Sequence, residues 1–108
     1  MDDRKFDIIL QIDGMNNELQ LRFYSNTQVE LQIRDIKAFY GNQEYISLLY
    51  RRINLSNDFK TTSLGLKVGE YKTITLIAKN ITHKEQYAVS IPLNGDEIIY
   101  TQMFYEEI

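Results

Sequence analysis

The chain has 108 residues, 12 basic and 15 acidic side chains for a formal charge of −3, eight Tyr, five Phe and no Cys. That is one domain, residues 1–108, able to bury roughly 65% of its extended-chain surface without staples. The missing cysteines exclude disulfides and thiolate metal sites, and the slightly acidic balance argues against a nucleic-acid binder held by charge.

Abundant Tyr, Ile and Thr with scarce Ala favour β structure over a helical bundle. Residues 6–12 (FDIILQI) read as a first strand, closed by the turn dipeptide Asp13-Gly14 and a loop through Met15-Asn16-Asn17. Over 18–24 (ELQLRFY) Leu19, Leu21 and Phe23 alternate onto one face. Ser25-Asn26-Thr27 marks the next turn, because these side chains can bond the local backbone. Val29, Leu31 and Ile33 then alternate inward as far as Arg34-Asp35, where the apolar parity switches to Ile36, Ala38 and Tyr40. A β-bulge and a short bend between two strands explain that switch equally well. Gly41-Asn42 offers a hairpin turn.

Residues 44–53 (EYISLLYRRI) fit a strand at period two. At period 3.6 the stripe Ile46, Leu49, Tyr50 and Ile53 fits a short helix instead. Strand is preferred, since both neighbours are strands. Residues 54–63 (NLSNDFKTTS) are the most polar stretch and predict a loop. Residues 71–79 (YKTITLIAK) predict a strand with Ile74, Leu76 and Ala78 on one face, and residues 80–86 the following loop. Residues 86–93 (QYAVSIPL) place Tyr87, Val89, Ile91 and Leu93 together, and Asn94-Gly95 is a strong hairpin signal. The final strand, 97–107, should therefore return antiparallel beside 86–93. Pro92 lacks a backbone donor, so it should point away from a neighbour or sit at a bulge.

About seven strands with regular turns predict an all-β, antiparallel two-sheet sandwich. The stretch LGLKVGEYKTITL, Leu64 to Leu76, resembles the loop-to-strand passage of bacterial immunoglobulin-like sandwich domains. Residues Leu19 to Tyr40, with Ser25-Asn26-Thr27 between two alternating segments, are similar to their second and third strands. The paired cysteines and buried Trp of antibody-type domains are absent, so the resemblance is to disulfide-free bacterial variants. It implies an immunoglobulin-like fold and a habit of binding. Adhesion modules, phage decorations, chaperone-like binders and proteinase inhibitors share that habit.

Chemistry is harder to find. The one histidine, His83, lies in a polar segment and reads as a solvated loop residue. The acidic pairs Asp2-Asp3, Asp96-Glu97 and Glu106-Glu107 are adjacent residues, which a strand sends to opposite faces, so none is a catalytic dyad by itself. No phosphate loop or calcium loop is present. Arg51-Arg52 beside Tyr45 and Tyr50 read as strand-end charge next to core tyrosines rather than a nucleic-acid surface. The expectation is a non-enzyme without cofactor or metal. With no signal peptide or spanning segment, a cytoplasmic or virion-associated product is expected, binding neither membrane nor nucleic acid.

The strongest functional signal is the last strand, EIIYTQMFYEEI, which is apolar on both parities. Ile99, Met103 and Tyr105 fall on the parity opposite to Ile98, Tyr100 and Phe104. Three readings compete: internal cover by a loop such as 54–63, a sheet continuing into another subunit, or a docking patch. Flexible Met and rigid Tyr suit recognition. The function expected is protein binding through the hairpin 86–107 by way of Ile99, Met103 and Tyr105. A small bacterial or phage inhibitor or adaptor is the narrower form, and a self-assembling structural subunit the alternative.

Overall fold

The structure is a computed structural model and describes residues 4–40, 44–48, 50–94, 97–99 and 103–108. Among the described residues eight antiparallel strands form a curled sheet, a half-barrel: β1 (Asp7–Asp13), β2 (Glu18–Tyr40), β3 (Glu44–Ser47), β4 (Arg51–Lys67), β5 (Thr73–Asn80), β6 (Glu85–Asn94), β7 (Glu97–Ile98) and β8 (Phe104–Glu107). Hydrogen bonding runs through β1-β2-β5-β6 to β7 and β8, while β3 and β4 flank β2 on its other side. The layers over the core are thus two halves of one curled sheet. Residues 44–47 and 51–53 are strand, as the alternation predicts, and the described residues contain no helix. Among them no helix is long and apolar enough to cross a membrane. Gly41-Asn42, Leu49, Gly95, Asp96 and Tyr100 lie outside the described residues.

The 23-residue β2 organises everything else. Its inward residues are fully buried, Leu19, Leu21 and Phe23 before Ser25, and Val29, Leu31 and Ile33 after it. The turn expected at Ser25-Asn26-Thr27 is instead a bend within this strand. Two side chains stabilise it. Ser25 is buried, with Oγ 2.7 Å from the Lys5 carbonyl, and it accepts the Thr27 N–H at 3.1 Å. On the far side of the bend the Glu30 N–H donates to Thr82 Oγ1 at 2.9 Å, while the Glu30 carbonyl accepts the Ile81 N–H. Side-chain and turn groups therefore serve β2 where β1 has ended and β5 has not begun, so its buried backbone groups keep partners.

The parity switch at Arg34-Asp35 is a β-bulge. Arg34 pairs with Ile77 and Lys37 with Thr75, three steps against two, and Asp35 has φ 52°. Inward packing resumes at Ile36 and Ala38.

The expected loop over 54–63 is a correction: these residues are the middle of β4, paired with β2 from Gln28↔Ser56 to Gln20↔Ser63. They read as loop because β4 is a sheet edge over the bend, where Ser56, Asn57, Phe59 and Lys60 are all exposed. Asn57 takes φ 53° at the register shift and the Ser56 N–H donates to Asp58 Oδ1, so polar residues shape the bent strand.

Lys84 also sits in the left-handed region, at φ 57° in the exposed 81–84 turn. Its side chain costs conformational energy there that glycine would not. Lys84→Gly is expected to raise stability by up to about 1 kcal/mol. A urea midpoint that falls would show that the lysine makes a compensating contact.

Candidate functional site

Pro92 sets the geometry of the C-terminal strand. It pairs with Thr73 of β5, and on its other side its carbonyl accepts the Ile99 N–H at 3.0 Å. The donor it lacks would have pointed to that same side. There the ladder breaks, as a proline at a bulge should make it. Leu93 pairs with Ile98 before the break, and Ser90 with Phe104 after it. Three steps on β6 oppose six on the returning chain, a surplus of three. An odd surplus exchanges the faces. Ile98 therefore faces inward with Leu93, and Tyr105, of opposite parity, faces inward with Val89.

That answers the two-sided apolarity and corrects the expected face. Tyr105 is not on the outer surface. Its hydroxyl accepts the Ile8 N–H at 3.0 Å and donates to the Ile8 carbonyl at 3.3 Å, joining β8 to the edge that β1 turns away from β2. Its ring meets Tyr87 edge-on at 6.3 Å, and the Arg4 guanidinium lies 3.5 Å from its centroid. Met103 is half-buried against the core, and Ile99 is half-buried too. Met103 and Tyr105 border a groove of about 320 Å³, shared with Ile9, Tyr24 and Phe59. Tyr105 is thus held by β1 and Arg4, while Phe59 of β4, packed on Tyr24 at 4.6 Å, lines the same groove.

The outward residue of β8 is Phe104, 53% exposed. The registers place it at the end of a row across the outer face: Lys37 on β2, Thr75 on β5, Ser90 on β6, Phe104 on β8. One row along stand Arg34, Ile77, Ala88 and Glu106. Thr75, Ser90 and Ala88 are short, so the middle strands form the floor of a groove of about 380 Å³ with Lys37 and Phe104 on opposite walls. Beyond Lys37 the face continues onto β3, where Tyr45 stacks on Phe39 at 5.7 Å and Lys37 approaches the Tyr45 ring at 5.1 Å. The β2 side thus carries Lys37, Arg34 and an aromatic pair, offset locally by Asp35, and the β8 side Phe104 and Glu106. Arg34 Nε is buried there with no hydrogen-bond partner among the described residues, while Nη2 reaches Gln86 Oε1 only at 3.4 Å.

Compared with known proteins, the chain matches no family model, no curated protein and no solved structure.

Other sequence candidates fall elsewhere. His83 is exposed in the 81–84 turn, its N–H donating to Asn80 Oδ1. Asp2, Asp3 and Asp96 lie outside the described residues, and Glu97, Glu106 and Glu107 are exposed. Among the described residues no three of His, Cys, Asp and Glu come together. Tyr45 and Tyr50 are about half exposed, not core, and Arg52 pairs with Glu30 at 3.7 Å. A bond with Tyr50 and the nearby Glu30 charge push the Arg52 guanidinium up, while burial and then Glu70 push the Tyr71 phenol up. Both shifts favour the form already present at neutral pH, so neither group is poised to exchange protons there.

Phe104 and Lys37 are the residues that sequence reasoning missed. A signal existed: Pro92 lacking a donor, opposite a strand apolar on both parities, points to a register change between 93 and 104.

Proposed function

We propose that the chain is a non-enzymatic protein-binding module acting through its C-terminal hairpin, residues 86–107. In its narrower form it is a small bacterial or phage inhibitor or adaptor of the cytoplasm or virion. One observation carries the reading: the register change at Pro92 turns Phe104 outward beside a shallow floor of short side chains, while Tyr105 locks the same strand to β1. A large apolar residue on a fixed strand, with little entropy left to lose, suits an interface anchor. Met103 and Tyr105 support that strand from within and border the neighbouring groove, and Ile99 is half-buried beside Pro92. An immunoglobulin-like two-sheet kinship belongs to this proposal. It rests on the Leu64–Leu76 passage and on the bend of β2, which brings both its halves onto one core.

Capture from a lysate of the cells that make the protein tests this. A partner held by the wild type should be lost with Phe104→Glu and kept with Phe59→Ser, which alters the other groove. Retention by Phe104→Glu would refute the hairpin as the contact.

A further inference from the structure

We infer that the outer face of β3-β2-β5-β6-β8 pairs with the same face of a second copy through a two-fold axis over the Thr75–Ser90 floor. The inference rests on reading the hairpin as a protein-contact surface and names its occupant. The face is polarised across its width. Lys37, Arg34 and the Phe39–Tyr45 pair stand at one side with Asp35 among them, Phe104 and Glu106 at the other, and uncharged Thr75, Ile77, Ala88 and Ser90 between. A two-fold contact is isologous, so whatever one copy presents on the left meets what the other presents on the right. Turning a copy over about an axis inclined to the strands brings Phe104 of each toward the Phe39–Tyr45 pair of the other, one row from Lys37, and Glu106 of each toward Lys37 and Arg34. Apolar meets aromatic, and acid meets base. The mirror arrangement on a different protein would need a partner with the same alternation, whereas this chain supplies both halves itself.

Size sets the strength. β3 to β8 spans four strand spacings, about 19 Å, and the rows from Phe39 to Gln32 cover about 20 Å along the strands. Such a footprint is roughly 400 Å² per copy, well below the ~800 Å² per partner of a standard interface. The pair is therefore weak and concentration-dependent, with a dissociation constant of micromolar order or weaker.

Sedimentation velocity on the whole chain, from a few micromolar to about 1 mM, tests this. The wild type should pass from monomer to dimer over that range, with association weakening as salt is raised. Each substitution acts twice in a two-fold pair, so Lys37→Glu and Glu106→Lys should each weaken the dimer about tenfold or more. The double exchange Lys37→Glu/Glu106→Lys should restore it to within about threefold, a recovery that loss of folding would not produce. Phe104→Glu should abolish association with its circular dichroism spectrum unchanged. A wild type that stays monomeric throughout, or a dimer indifferent to all these changes, overturns self-pairing. Neither result touches capture of a different protein, so the two readings fail separately.

Discussion

Tyr105→Phe is expected to destabilise the protein by about 1–3 kcal/mol while leaving its packing in place. The substitution removes one oxygen and nothing else. That oxygen accepts from the Ile8 N–H and donates to the Ile8 carbonyl, so it satisfies both backbone groups of a residue whose own surface is 2% exposed. The ring, its edge-on contact with Tyr87 and the Arg4 stack all remain. Two orphaned backbone groups are left at the seam, and water reaches them only past a half-buried strand. Each kcal/mol corresponds to about 4–8 °C of melting temperature in a domain of this size. Native-state hydrogen exchange at the Ile8 amide should speed up with it. An unchanged melting temperature would mean that something other than the hydroxyl closes the half-barrel. Tyr105→Ala, which also removes the ring, should cost more than Tyr105→Phe.

Leu31→Ala should have the largest effect of any single truncation considered, about 2–5 kcal/mol. Total stabilities of domains this size run to about 5–15 kcal/mol, so the variant approaches the edge of folding. Leu31 is fully buried and lies where β2 is paired on both sides at once, with Ile53 of β4 and Asn80 of β5. Its backbone is held in two ladders and cannot shift to fill the void, which places the cost in the upper part of the range. Met15 is the internal control. It is 94% exposed in the turn after β1, and its alanine variant should stay within about 0.5 kcal/mol of wild type. Urea unfolding distinguishes the cases: Leu31→Ala should lower the midpoint with an unchanged slope. Equal midpoints for the two variants would contradict the described core.

Much of the inward face is legible from alternation alone. Leu19, Leu21, Phe23, Val29, Leu31, Ile33, Ile74, Leu76, Ala78, Tyr87, Val89 and Ile91 are all buried on the face their spacing assigns. Burial of alternate residues is what a half-wet antiparallel strand requires, and a short window suffices to read it. Three features depend on distant partners and escape such a window. Residues 54–63 look like a loop because an edge strand over a bend keeps few side chains inside, and only the partner β2 makes it a strand. Ser25-Asn26-Thr27 looks like a turn, yet Ser25 bonds the carbonyl of Lys5, twenty residues earlier, and keeps the chain going in one strand. The face of Tyr105 hinges on a count of residues opposite Pro92, which local periodicity does not contain. The candidate surface suffered most from this. On the hairpin the exposed large apolar side chain is Phe104, while Met103 and Tyr105 are half-buried.

The Tyr105–Ile8 contact also has a timing. Its two residues are 97 positions apart, so β1 leaves the ribosome long before the hydroxyl that will cap it. At ~5–20 residues per second the wait is roughly 5–20 s, far longer than a hairpin takes to form. Throughout that interval the outer edge of β1 carries unsatisfied donors and acceptors, a template for any extended segment nearby. A nascent chain in this state is at its most vulnerable to pairing with its neighbours on the same messenger. The final strand is therefore a closing latch as well as a surface, and synthesis that stalls before residue 105 would release a sheet with its seam still open.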